Sequence, residues 1–381
     1  MAEVNIKRFV DINIQPHVEH VVSGTRDTVV LYTNEGSNTG RQVLIDSYTK
    51  AKQYYDTTYT GDRGGISVFS CPTTLSYLKV FFDNGGAKVL VIENTALSNI
   101  TTDTLKALDN KYICILYADV DNNVLTTYSA FETLATSMAS DSTVYGVNEK
   151  LLIARTNTTT NTSSITFSKQ TRNFIVKYSS VLGAEMTIAA YLSKINCYGV
   201  DTVCDYAFTQ EVLIAENLAD ADFGTIMTDN MNVDINLSNT TRNCGGNCKD
   251  GLDITNNFVR IVLHQTLSES LLNLLVQKIK NSTGISKMYA VIVNELDKYL
   301  TSGYLTTDKI WNEEDLVIHY GDTDYTIIEK GTALTNGYII KVLPLSSLTA
   351  NDKAKKAAPP VYVVIADQYG IRLITVNGEV I

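Results

Sequence analysis

The four histidines, His17, His20, His264 and His319, are dispersed along the chain and form no H-E-x-x-H pair. That spacing is what would put two imidazoles on one helix face for zinc. His17-Val-Glu-His20 falls in an extended N-terminal stretch and reads as surface. Gly61-Asp-Arg-Gly-Gly65 lacks the lysine and the hydroxyl that a phosphate-cradling loop needs, and no G-x-S-x-G elbow occurs. Asp119-Val-Asp121-Asn-Asn123 starts like a calcium loop, but Val124 stands where glycine is required and Ala130 where the bidentate glutamate belongs. It reads as a solvated turn. Glu313, Glu314 and Asp315 supply adjacent carboxylates for acid-base chemistry, against which stands an exposed helix start that favours acids through the helix dipole.

Six cysteines in 381 residues are too few for a disulfide framework. Cys71 and Cys114 sit in apolar surroundings and read as buried, inert thiols. Cys197, Cys204, Cys244 and Cys248 offer four thiolates to a metal, but neither pair has the usual C-x2-C spacing, so the reading is no metal and no cofactor. A disulfide in the NCGGNC loop is the other use of Cys244 and Cys248. The Asn-x-Ser/Thr sequons, as at Asn157 and Asn161, matter only in a secreted chain.

The elements that would position such residues follow from periodicity. Residues 28–32 (TVVLY) read as the first strand of a body, and 41–55 has helical spacing at Val43, Leu44 and Tyr48. Thr73 or Thr74 caps a helix through Phe82, which Asn84-Gly85-Gly86 stops in a left-handed turn. Residues 89–92 and 113–117 are short, wholly apolar strands of the buried kind, with a short helix around Leu105 between them. A helical pattern over 125–138 and a strand at 151–154 close the series. This alternation implies a three-layer α/β body with a mixed sheet. Residues 155–168 (RTNTTTNTSSITFS) read as an exposed loop or hairpin, 183–195 as a core helix, and 232–237 as a strand. Thr266-Leu-Ser-Glu269 has the capping-box pattern before an apolar stripe, and a second helix spans 287–300 and ends near Gly303.

The formal net charge of −10 argues against nucleic acid as a direct partner. No apolar run is long enough for membrane insertion, and the start MAEVNIKRFV lacks a signal-peptide core, so a soluble intracellular product is expected. Both ends are rich in strand. FVDINIQ alternates with Val10, Ile12 and Ile14 on one face; near the other end come 338–343, a basic segment capped at Ser347 or Thr349, Pro359-Pro360, and apolar runs at 361–365 and 371–376. Such terminal strands suit β-augmentation between subunits.

The stretch GTALTNGYIIKVLPLSSLTANDKAKKAAPPVYVVIADQYGIRLITVNGEVI resembles the end of contractile tail sheath proteins of myophages and related injection particles. VLGAEMTIAAYLSKINCYGVDTVCDYAF resembles the sheath core helix with its loop and strand, and GGISVFSCPTTLSYLKVFFDNGGAKVLVIE the helix, Gly-Gly turn and strand of the same family.

The resemblance implies an α/β chain, α+β overall. Residues 1–22 would be an extended arm, 23–257 the α/β body, and 258–381 a C-terminal α+β sheath-type domain ending in a second β-arm. It further implies a non-enzymatic subunit that polymerises with itself as stacked hexameric rings around an inner tail tube protein. Baseplate and tail terminator proteins would be further partners, and the setting a virion tail assembled in the host bacterial cytoplasm. Val10, Ile12, Ile14, Val361, Val363, Ile365, Ile371, Leu373 and Val376 would form the intersubunit arms, and Lys353, Lys355 and Lys356 would face an acidic tube, the alternative being that these lysines only solubilise an exposed helix. Two other readings stand beside it. One is a soluble α/β ligand-binding protein or enzyme with its ligand at the carboxyl ends of the strands near Asn94 and Asp119; the other is a different virion tail component.

Overall fold

The computed structural model describes residues 28–36, 39–121, 124–140, 150–158, 173–237, 239–276, 281–307 and 309–368. Val10, Ile12, Ile14, Ile371, Leu373 and Val376 lie outside them. The described residues open with β1 (Val29–Thr33), β2 (Gln42–Ile45), α1 (Tyr48–Tyr55), α2 (Pro72–Asp83), β3 (Val89–Ile92), α3 (Thr102–Ala107), β4 (Cys114–Ala118), α4 (Val124–Ser140) and β5 (Leu151–Thr156). It continues with β6 (Phe174–Tyr178), α5 (Met186–Leu192), α6 (Asp220–Thr228), β7 (Asn232–Leu237), β8 (Thr240–Cys244), α7 (Ile254–Val276) and α8 (Asn281–Thr301). The last described part holds β9 (Leu316–Tyr320), β10 (Thr323–Ile328), β11 (Tyr338–Val342), α9 (Ala350–Ala354) and β12 (Val361–Ile365).

Among the described residues one eight-stranded sheet runs in the order β2-β3-β1-β4-β5-β6-β7-β8. Strands β3 to β7 in that order are parallel to their neighbours, and the antiparallel β2 and β8 close the two edges. The expected mixed sheet and three layers are therefore observed. Period-two geometry divides each strand between two cores. Val29 and Leu31 join the face covered by α1, α2, α5, α7 and α8, while Val30 and Tyr32 join the face covered by α3, α4 and α6. With both faces covered, β1, β3, β4 and β5 are buried at every position, which is why they read as continuous apolar runs.

Several expectations are corrected. Residues 42–45 form a strand instead of the start of a helix: Val43 and Ile45 are buried while Gln42 and Leu44 are exposed, a period-two pattern too short to separate from a helical one by spacing. The expected cap at Thr266 lies within α7, where its hydroxyl donates to the Val262 carbonyl at 3.2 Å. The helix starts earlier, with Asp253 accepting the Asn256 amide at 2.7 Å. Arg155 and Thr156 are buried at the end of β5 and not part of an exposed excursion. Asp315 leads into β9 and not a helix, accepting the Lys330 amide at 2.8 Å. Neither β6 nor α6 was anticipated.

Candidate functional site

Alternating strands and helices bring polar side chains to the carboxyl end of the parallel sheet, where α/β proteins bind ligands at the point of strand reversal. Here β1 lies between β3 and β4, so residues after these three strands meet. Glu35 follows β1 and turns its carboxylate onto the start of α2, accepting the Thr73 amide at 3.1 Å and the Thr74 amide and hydroxyl at 2.7 Å each. The cap therefore comes from Glu35 across the fold, and neither threonine caps the helix as the sequence suggested; Pro72 at its first turn needs no donor partner. Glu93, fully buried after β3, accepts from the Tyr55 hydroxyl at 3.1 Å and faces Arg41 at 3.5 Å. Burial raises its pKa, opposed by Arg41. Asn34 donates to Asp119 at 3.2 Å and accepts the Val120 amide at 3.1 Å. These groups serve the fold's own loops and helix ends.

A second buried centre lies along β5, β6 and β7. Lys177, wholly buried in β6, donates to Asp234 on β7 at 2.6 Å and to Glu211 at 3.0 Å. The Tyr206 hydroxyl at 3.2 Å and Asn243 Oδ1 at 3.3 Å complete its surroundings, and the Tyr206 hydroxyl also donates to Glu211. Two acids around one base leave an excess negative charge in a dry site. Desolvation, with the Glu211 charge adding to it against Lys177, pushes the Asp234 carboxyl up to about 7. Beside it, Arg155 donates to the Ser179 carbonyl at 3.1 Å and faces the buried Glu185 at 3.5 Å. Burial raises Glu185, with Arg155 opposing. None of these residues stood out in the sequence, although a lone lysine in FIVKY and a lone aspartate in NVDINL mark charges in otherwise apolar strands.

The C-terminal part presents the expected arm and lysine residues. β11 and β12 pair antiparallel, Tyr338 with Ile365 and Val342 with Val361, within one chain. Val363 is buried against the core of the large sheet, with Val361 and Ile365 at its rim. Val364 points the other way, into a small core with Ile327, Ile328, Leu334 and Ala366. Among the described residues this sheet has two strands. Before Pro359, α9 begins with the expected cap at Thr349, which accepts the Asp352 amide at 3.2 Å while Asp352 accepts the Thr349 amide at 3.0 Å. The Tyr320 hydroxyl at the β9 end also donates to Asp352, at 2.9 Å. Lys353, Lys355 and Lys356 follow and are all exposed.

The four cysteines suggested as thiolate ligands are not gathered. Cys197 and Cys248 pack on one face of the sheet, Cys244 on the other, and Cys204 is exposed. Burial pushes Cys244 and Cys248 above the ordinary thiol pKa. His264 is buried in α7, and the exposed His319 pairs with Asp324 at 2.7 Å. No helix among the described residues is long and apolar enough to cross a membrane.

These features define a mixed-sheet α/β protein with helices on both faces and a small β-rich C-terminal module. No family model matches the sequence, and no curated protein matches it. Solved structures do. A chain of the six-fold-symmetrised anti-feeding prophage baseplate superposes with a TM-score of 0.63 at 15% identity, covering 97% of each chain. A chain of the contracted helical sheath of the same prophage gives 0.62 at 13% identity over 95% of each. The contracted baseplate gives 0.57 at 12% identity over 97% of each. The chain thus has the fold of a contractile tail sheath.

Proposed function

We propose that this protein is a structural subunit of a contractile tail sheath, part of a phage-tail-like particle, and not an enzyme. The observation that carries the reading is the near-complete superposition, 95% of each chain, on a helical sheath. The subunits stack as hexameric rings around an inner tube, meet a baseplate at one end and a terminator at the other, and shorten to drive the tube through a target envelope. Assembly takes place in the host bacterial cytoplasm.

Val10, Ile12 and Ile14 of one copy, with Val361, Val363, Ile365, Ile371, Leu373 and Val376 of another, link copies through a shared small sheet. The second edge of β12, unoccupied among the described residues, is the place for an added strand. Main-chain hydrogen bonds across such arms persist while rigid bodies rotate, so the polymer shortens without separating. This contact is heterologous and propagates instead of closing on itself. Lys353, Lys355 and Lys356 face the tube; exposed ion pairs are weak and salt-screened, which suits a contact that releases on contraction.

Negative-stain electron microscopy of the full chain and of a variant lacking the residues before Pro16 tests this. Hollow striated tubes from the full chain alone are expected. Compact particles from both, in the presence of baseplate and tube components, would remove the reading.

A further inference from the structure

The large sheet ends at β8, yet the outer edge of that strand is covered. Residues 208–211 run antiparallel along it. The Phe208 amide donates to the Asn243 carbonyl at 2.8 Å, the Asn243 amide to the Thr209 carbonyl at 3.0 Å, and the Glu211 amide to the Thr241 carbonyl at 3.1 Å. The chain then reaches the loop after β6, where Glu216 accepts from the Ser179 and Ser180 hydroxyls at 2.8 and 2.9 Å. Between these two points the strap lies at the surface, with the Val212 amide on Asn84 Oδ1 at 2.8 Å and the Val212 and Ile214 side chains turned outward. Phe208 at its head takes φ +60°, a left-handed conformation that an aromatic residue rarely adopts, so the closed strap carries strain.

Glu211 is the strap's inward anchor, and the centre it enters is short of positive charge. Lys177 of β6 meets Asp234 of β7 and Glu211, with Asn243 of β8 and Tyr206 completing its shell, and Thr187 of α5 bonds to the Tyr206 hydroxyl at 3.3 Å. Alongside, Arg155 of β5 faces Glu185, which also bonds to Tyr77 of α2. Burial keeps the Tyr77 and Tyr206 phenols and the Cys244 thiol above their ordinary values, hence neutral. Lys194, whose charge also acts with Glu211, is exposed and donates to the Asn84 carbonyl at 2.8 Å. Three buried carboxylates thus face two buried cations. Asp234 Oδ2 has no partner among the described residues, so its charged form is incompletely satisfied. Both observations favour one added proton on Asp234, in keeping with its rise to about 7.

We propose that residues 208–216 form a pH-sensitive latch on the β8 edge, shut while the Lys177 centre holds its added proton and opened when that proton is lost. Asp234 is fixed in β7 between β6 and β8. Glu211 sits on the strap and is the carboxylate that can leave for water. Its departure leaves one lysine with one aspartate, which restores charge balance, and lets Phe208 relax. The open form holds the proton less tightly than the shut form, so rising pH opens the latch. Opening bares the main-chain groups of Thr241 and Asn243, an edge that the shut latch denies to any other strand. The device does not depend on the sheath reading.

Hydrogen exchange of the full chain, followed by mass spectrometry near pH 6 and about two pH units higher, tests this, with each rate referred to the intrinsic rate of its peptide. Protection over residues 208–216 should fall about tenfold between the two conditions, since each pH unit above the folded value is worth up to about tenfold. It should not respond to urea below the unfolding transition, as befits a local opening, whereas β1 exchanges only with the whole chain and should respond. Asp234→Asn leaves Lys177 with Glu211 alone and should keep the strap protected at both pH values. Glu211→Gln, on the strap itself, should likewise abolish the pH dependence, and it carries the test should Asp234→Asn not fold. Strap protection that is equal at both pH values, that varies with urea as β1 does, or that keeps its pH dependence in these variants would overturn the proposal.

Discussion

Replacing Lys177 with methionine removes the only base among Asp234, Glu211, Tyr206 and Asn243 while keeping the volume of the side chain. The ammonium now lies 2.6 Å from Asp234 and 3.0 Å from Glu211, with all three side chains buried. Its loss leaves two carboxylates in a dry site with no counter-charge, and breaking a buried pair from one side costs about 3–5 kcal/mol. The penalty has a defined pH dependence. The Asp234 carboxyl is already raised from 3.8 to about 7, so the folded state binds that proton more tightly than the unfolded chain does. Stability from this group is therefore complete below the unfolded value and is lost as pH rises through the folded one. Without the lysine, which holds the value down, the window moves higher. Urea unfolding should show the full penalty at pH 8 and a smaller one at pH 5. Adding Asp234→Asn and Glu211→Gln to Lys177→Met should restore more than half of the loss at pH 8, because no charge is then left to bury. A penalty below about 1 kcal/mol at pH 8, or an equal penalty at both pH values, would refute the assignment of this cluster as a buried, under-neutralised ion group.

Glu35→Ala should cost about 1–3 kcal/mol in thermal or urea unfolding, because it strips the amides of Thr73 and Thr74 of their acceptor at the start of α2. Thiol titration of the native protein should find one accessible cysteine, Cys204, against six after denaturation; more than one in the native state would contradict the burial of the others. Reversing Lys353, Lys355 and Lys356 to glutamate should leave the melting temperature unchanged, since all three are exposed, and should impair assembly around a tube. Normal-length sheaths on tubes from the triple variant would count against their tube-facing role.

The strands buried on both faces were legible because a continuous apolar run such as 89–92 has few other uses in a short segment. The left-handed stop after α2 was legible as well, since Gly85 adopts φ +76°. β2 was not, because four residues hold too little of either period. Thr266-Leu-Ser-Glu269 misled because a capping-box pattern also occurs in the interior of a long helix, where the threonine hydroxyl returns to the preceding turn. The true start, Asp253 with Asn256 three residues on, carries a quieter signature. The Lys177 centre was hidden for a different reason. Its members are separated by 34 residues for Glu211 and 57 for Asp234; the parallel pairing of β6 with β7 brings Asp234 to Lys177, and the backbone contact of residues 210–211 with β8 brings Glu211. Charges placed by topology leave single-residue marks in the sequence, not motifs.

The end of β12 is held at several points at once. The Thr306 amide donates to the Ala366 carbonyl at 2.9 Å, and the Gln368 amide to the Tyr304 carbonyl at 2.8 Å. Asp367 pairs with Lys309 at 2.8 Å, and Asn256 at the head of α7 donates to the Gln368 carbonyl at 3.1 Å. Tyr338 on the neighbouring strand donates to Asp297 of α8 at 2.7 Å. Tension applied to the chain beyond Gln368 thus arrives at a riveted plate: it is divided among α7, α8 and the loop after α8 before any single bond yields. A pull on this segment is therefore expected to load the whole body.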